Sequence, residues 1–205
     1  MPKTPQRHPI QHPVFGRLIP DQTGEELLCF RQFPGLKPFW LDHSSQLLGD
    51  LEPGHRKLVK QWHDQPEGLA KICRNFDVLA ALQSLGVFEV GIALEPGANK
   101  PNDCQVETYR GFIDREAEVC ENICRELVNY VSHLRKKEPA VFEAIGQSPQ
   151  HNEVFSLDEI SEFVRFDGLT MTTEMVDGLA TIGIGWDVDW DIEHGLQMVL
   201  HQDQP

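Results

Sequence analysis

The sequence predicts an α+β fold: a mainly antiparallel sheet built from N- and C-terminal strands, with helices packed on one face. Three observations carry this. Short apolar runs broken by Pro and Gly lie toward both ends of the chain, apolar positions three and four apart dominate the middle, and strict alternation returns near the C-terminus. Apolar residues make up 40% and charged residues 24% of 205, a globular balance in a chain long enough to bury a core without crosslinks. Residues 1–13 hold Pro2, Pro5, Pro9 and Pro13 and few apolar side chains. They are expected to form a flexible arm ahead of a single domain over 14–205.

Val14 to Ile19 and Leu27 to Phe30 read as strands of a hairpin around Pro20-Asp21-Gln22-Thr23-Gly24, and Phe39-Trp40-Leu41 as a third strand after the Pro34-Gly35 turn. Leu58, Val59 and Trp62 mark a short helix broken at Pro66 and Gly68. Ile72, Cys73, Phe76, Leu79 and Ala80 carry a second helix, from Leu69 to a stop at Gly86. The period then changes, and Phe88, Val90, Ile92 and Leu94 alternate as a strand closed by Pro96-Gly97.

After Pro101-Asn102-Asp103 comes the clearest helical stretch, with Val106, Tyr109, Ile113, Ala117, Cys120, Cys124, Leu127, Val131 and Leu134 on one stripe. Unbroken from 103 to 137 it would run roughly 52 Å at ~1.5 Å per residue. A compact domain of this length is only about 43 Å across, so a break is expected, with Gly111 the candidate. Residues 146–152 read as a loop, and Ser156 with Glu159 forms a capping box opening a helix through Phe163. Two strands flank Asp177-Gly178, one over 169–175 and one with Ala180, Ile182, Ile184 and Trp186 on a single face. Leu196 to Leu200 is the last strand.

Lys plus Arg number 18 against 32 Asp plus Glu, a formal net charge of −14. That argues against a nucleic-acid partner, which needs a positive surface. No stretch approaches the length of a membrane span and no apolar leader opens the chain, so a cytoplasmic location with no membrane partner is expected. The five cysteines (Cys29, Cys73, Cys104, Cys120 and Cys124) are odd in number and irregular in spacing. They are expected to be free thiols rather than a disulfide framework or a metal site.

The segment from Gly185 to Gly195 is the most conspicuous. Asp187, Asp189, Asp191 and Glu193 alternate with apolar residues, so in an extended conformation the acids share one face. Crowded carboxylates repel one another and can be relieved by a hard cation. No Lys or Arg lies between 178 and 205 to neutralise them. The D-x-D-x-D spacing matches the start of an EF-hand loop, but Ile192 stands where that loop needs Gly and Met198 where it needs Glu. The reading is therefore an exposed acidic turn with Trp190 buried and no metal or other cofactor. If a metal binds, its ligands are Asp187, Asp189 and Asp191. His194 beside Glu193 is a candidate acid/base pair, although neighbours on a strand point to opposite faces. The chain has no nucleophile elbow, phosphate loop, dinucleotide fingerprint or zinc-protease motif, which removes the usual grounds for asserting catalysis.

Trp190-Asp191-Ile192-Glu193-His194-Gly195-Leu196 resembles the W-D-x-E-H-G signature of an uncharacterised bacterial family of unknown function, some members of which are immunity-like. His12-Pro13-Val14-Phe15-Gly16-Arg17-Leu18 resembles its opening strand, and Gln105 with Tyr109 the start of its central helix. The region 43–86 departs from it, being helical where the family is expected to have strand. The resemblance implies a non-enzymatic protein-binding module, an immunity-type inhibitor of a toxin, and the −14 charge suits a cationic protein partner. The alternative is a metal-binding protein or metal-dependent hydrolase using 187–194. Candidate binding residues are Asp187, Asp189, Trp190, Asp191, Glu193 and His194.

Overall fold

A computed structural model describes residues 8–21, 23–40, 44–72, 75–146 and 154–202. Strands β1 (Ile10–His12), β2 (Gly16–Pro20) and β3 (Glu26–Gln32) open the chain. A 3-10 helix (Pro34–Phe39) follows, then α1 (Ser44–Asp50), α2 (Pro53–Lys60), α3 (Pro66–Ala70) and α4 (Phe76–Ser84). Strand β4 (Val87–Ala93) leads to α5 (Asp103–Asp114), α6 (Glu116–Lys137), α7 (Pro139–Ala144) and α8 (Leu157–Ser161). Strands β5 (Val164–Val176), β6 (Leu179–Val188) and β7 (Leu196–Leu200) close the chain. The seven strands form one sheet in sequence order. Strands from both ends thus share that sheet, as the two apolar strand clusters predict.

Every neighbouring pair is antiparallel except β4 and β5. A parallel pair needs a long crossover, and the block from α5 to α8 is that crossover. It covers one sheet face. Alternation sends Phe88, Val90 and Ile92 of β4 and Ala180, Ile182, Ile184 and Trp186 of β6 inward. There they pack with Tyr109 and Phe112 of α5 and Val119, Ile123, Leu127 and Val131 of α6. Fully burying one such side chain stabilises by roughly 1.5–3 kcal/mol. Helices α1 to α4 close a second, smaller cluster (Val59, Leu69, Val78, Leu82 and Val87, with Phe30 against it). Phe30 and Val87 belong to the opposite sheet face at one end.

Several expectations are corrected. Strand β1 falls inside the range assigned to a flexible arm, because Ile10–His12 pairs with Gly16–Leu18. Phe39-Trp40 is not a strand: Pro34 and Pro38 favour a tight helical turn that drops Phe39 edge-on against Trp186, ring centroids 5.1 Å apart. Leu41 lies outside the described residues. The helix read from Leu69 to Gly86 is two helices. Asn75 starts the second by accepting from the N–H groups of Asp77 (3.0 Å) and Val78 (3.2 Å). The long helix breaks not at Gly111, which sits inside α5, but at Arg115, where the backbone leaves helical geometry (φ −124, ψ 26). Of the loop expected at 146–152, only Gly146 is described.

The Asp177-Gly178 turn has φ of 52 and 80 at its two central residues, the left-handed pair that a two-residue hairpin requires. Cys29, Cys104, Cys120 and Cys124 are free thiols, and Cys73 lies outside the described residues. Among the described residues no helix is long and apolar enough to cross a membrane.

Candidate functional site

The sheet face opposite α5 and α6 is only partly covered. Residues that alternate with the core residues point to it: Glu26 on β3, Glu89 and Gly91 on β4, Gly168 and Thr170 on β5, Gly183 and Gly185 on β6, and Gln197 on β7. With Asp167 and with Leu79 of α4 they enclose an open groove of about 390 Å³. The register explains the convergence: Gly91 stands beside Thr170, Thr170 beside Gly183, and Gly185 beside both Gly168 and Gln197. Glycines from three strands make a floor without side chains, and carboxylates and amides make the walls.

The walls lean over the floor. A methyl group placed on Gly185 would stand 3.3 Å from Asp167 Oδ2, one on Gly183 would stand 3.1 Å from Gln197 Nε2, and one on Gly91 would stand 3.4 Å from both Glu26 Oε2 and Thr170 Oγ1. A slip of register between Phe166 and Gly168 lets Asp167 bulge out of the ladder. The buried Gln83 of α4 donates to its Oδ1 at 3.3 Å. Desolvation raises the Asp167 pKa, repulsion from Asp187 raises it further, and the Gln83 hydrogen bond opposes both. Desolvation also raises Asp187, with Arg165 opposing. Both residues are exposed, and the Asp167 carboxyl stands in a concave place where part of the hydration shell is lost.

The acidic segment read from the sequence does not form a common carboxylate face. Beyond Val188 the chain leaves the ladder and turns, so strand alternation stops there. Asp187 reaches the groove side beside Arg165 and Asp167. Asp189 pairs with Arg165 at 3.1 Å, so the neutralising cation comes from β5 rather than from 178–205. Asp191 Oδ1 accepts from the His194 N–H at 3.2 Å and lies 3.0 Å from His194 Nδ1, which lowers the Asp191 pKa. His194 therefore partners Asp191 and not Glu193, which is exposed. Trp190 is half-buried against Phe142 and Phe163, at ring-centroid distances of 5.5 and 5.8 Å. Gly195 has φ +66, and a side chain there would strike the Trp186 carbonyl oxygen at 2.6 Å. These contacts build a turn. Among the described residues no group of three or more His, Cys, Asp or Glu is placed to hold a metal ion.

The other motif residues are structural in the same way. His12 Nδ1 accepts from the N–H of Val14 at 3.2 Å and holds the β1–β2 turn, while Phe15 stacks on Tyr109 with centroids 4.3 Å apart. Gln105 ties α5 to β4 and β5 through the carbonyls of Ala93 and Thr172. The groove residues Glu26, Glu89, Asp167 and the strand glycines were missed as a site. Their one sequence signal is Gly183 and Gly185 opposite the apolar face of β6, where an ordinary half-buried strand would carry side chains.

The fold and groove define an α+β protein with one covered sheet face and one open, acidic one. Residues 78–205, from α4 to the last residue, match the family described as Domain of unknown function (DUF6985), and the chain belongs to that family. The match includes Gln105, Tyr109 and the 190–196 turn, while His12 to Leu18 lies outside it. No curated protein and no solved structure matches the chain.

Proposed function

We propose that the protein is a non-enzymatic protein-binding module whose open groove receives a cationic side chain of its partner. In the finer form of this reading the partner is a toxin and the chain an immunity-type inhibitor. The observation that carries the proposal is Asp167 leaning over a floor of glycines in a groove that Glu26 and Glu89 also line, with Asp187 next to it on the same side of the sheet. Asp187 disfavours the ionised form of Asp167, and a cation seated beside Asp167 would reverse that penalty. A volume of about 390 Å³ suits a side chain or small ligand. The bare floor admits a planar guanidinium, whose fork of donors matches carboxylates and amide oxygens. The charge of −14 supports the same choice by steering a basic partner inward.

Titration of labelled protein with N-acetyl-arginine amide, followed by amide NMR, tests the reading. Saturable shifts at Gly91, Gly168, Gly183 and Gly185 are expected, with loss of saturation in the Asp167→Asn, Asp187→Asn double variant. Unchanged glycine resonances, or a double variant that binds as well as the parent, would overturn it.

A further inference from the structure

Strand β7 ends the sheet, and among the described residues no strand pairs with its outer edge. Exposed edges are normally blunted by charge, proline, a bulge or a covering element. Strand β7 reads Leu-Gln-Met-Val-Leu: it holds neither charge nor proline, and its pairing with β6 runs without a register break from Leu196 to Leu200. Alternate residues of an edge strand send N–H and C=O outward. Leu196 and Met198 are half-buried at the margin of the main core, and Val199 is 53% exposed on the groove side.

Resting on the groove reading, we infer that β7 receives an extended segment of the partner as an added strand, and that alternate basic side chains of that segment enter the groove. The geometry couples the two sites. Gln197 of β7 is itself a groove wall. A strand added at the usual spacing of about 4.8 Å lies about 10 Å from β6, a gap that an arginine and the facing Asp187 span together. The Asp187 carboxyl lies on the groove side next to the Gly195–Leu196 end of β7, since Trp186 pairs with Leu196. The opposite face of the added strand meets Leu196 and Met198, so its alternate residues are apolar. Charge selects the occupant. A second copy would bring its own surplus of acids to an acidic groove, whereas an alternating basic and apolar segment complements both faces.

The test uses the peptide Lys-Val-Arg-Val-Arg-Val-Lys and two versions of it, N-methylated at one or the other alternating set of amides. Both versions keep the charges, but only one set faces β7. The expected result is saturable binding with shifts at the amides of 196–200 and at Gly183 and Gly185. One methylated version should bind at least roughly tenfold more weakly, the loss of a hydrogen bond or two, and the other should bind like the parent. If both methylated versions bind like the parent while the glycines still shift, strand addition is wrong and the groove reading stands. If neither β7 nor the glycines respond, both fail. Sedimentation showing a dimer that Val199→Lys dissociates would place a second copy on this edge and overturn the assignment.

Discussion

Gln105 is 1% exposed and every polar atom of its side-chain amide is engaged. Its Nε2 donates to the carbonyls of Ala93 (2.7 Å) and Thr172 (3.0 Å), and its Oε1 accepts from the Asn102 N–H (3.0 Å). One residue therefore closes the capping box of α5 and clips that helix to the ends of β4 and β5. Replacing it with alanine removes three hydrogen bonds, each contributing about 1 kcal/mol net. The half-buried carbonyls of Ala93 and Thr172 regain some water, which offsets part of the small cavity left behind. The expected destabilisation of Gln105→Ala is about 3 kcal/mol, read as a shift of roughly 1.5 M in the urea midpoint at a slope of about 2 kcal/mol/M. Gln105→Glu separates hydrogen bonding from packing. Its carboxylate keeps the acceptor for Asn102 but offers no donor to the two carbonyls, so its folded-state pKa lies above the unfolded value of about 4.3. The variant should be most stable below that value and lose stability as pH rises through the raised pKa. A Gln105→Ala loss under about 1 kcal/mol, or a Gln105→Glu midpoint that tracks wild type across pH, would refute the reasoning.

Four other outcomes follow from the groove and the core. Asp167 has a raised folded pKa, so its contribution is most favourable below the unfolded carboxyl pKa and worsens as pH rises from there through the folded one. Asp167→Asn should therefore melt higher than wild type at neutral pH, with the gap closing toward about pH 4 in thermal scans. Gly168→Ala should destabilise by about 1–3 kcal/mol, because its new methyl meets the rigid Glu89 carbonyl oxygen at 2.9 Å. Gly183→Ala should leave chemical denaturation unchanged or raise stability by up to about 1 kcal/mol, because it meets only the movable tip of Gln197, yet it should weaken arginine-amide binding. Burial pushes the Cys29 and Cys120 thiols up to about 12, so mass spectrometry should find them unalkylated by iodoacetamide at neutral pH until the protein is unfolded.

Elements governed by local chemistry were legible in the sequence. Alternation revealed β4 and β6, Asp177-Gly178 the hairpin that joins β5 to β6, and the Ser156–Glu159 box the start of α8, where Ser156 Oγ accepts from the Glu159 N–H at 3.3 Å. Elements decided by tertiary contact were not. Phe39 and Trp40 look like strand residues because aromatic side chains suit strands, but proline geometry and the space beside Trp186 turn them into a helix end. A bend at Arg115 preserves apolar steps of three and four, so spacing gave no sign that Gly111 was the wrong place. The acids of 187–193 seemed to share a face only on the assumption of an extended chain, and the turn after Val188 removes that assumption. The groove was hidden for a simpler reason. Its residues come from segments between Glu26 and Gln197, and the parallel β4–β5 pairing across a helical crossover is what brings Gly91 beside Thr170.

The strand glycines divide by what surrounds them, and the division bears on function. At Gly168 and Gly195 the neighbour is backbone, the Glu89 and Trp186 carbonyl oxygens at 2.9 and 2.6 Å, so the fold itself excludes a side chain. At Gly183 and Gly185 the nearest atoms are the tips of Gln197 and Asp167, which can move aside, and at Gly91 they are the side-chain oxygens of Glu26 and Thr170 at 3.4 Å, an ordinary contact. A glycine inside a strand costs roughly 0.5–1 kcal/mol relative to alanine, and backbone packing gives no reason to bear that cost at these three positions. The nearby Asp167–Asp187 repulsion is likewise unfavourable to the folded state. Both penalties fall on one face of one sheet, while the other face keeps an uninterrupted apolar pattern in β4 and β6. Local choices that oppose stability together, on the same face, support the proposed reading of that face as a binding surface. The carboxyls of Glu26, Glu89 and Asp167 that line the recess favour the cation of the proposed reading.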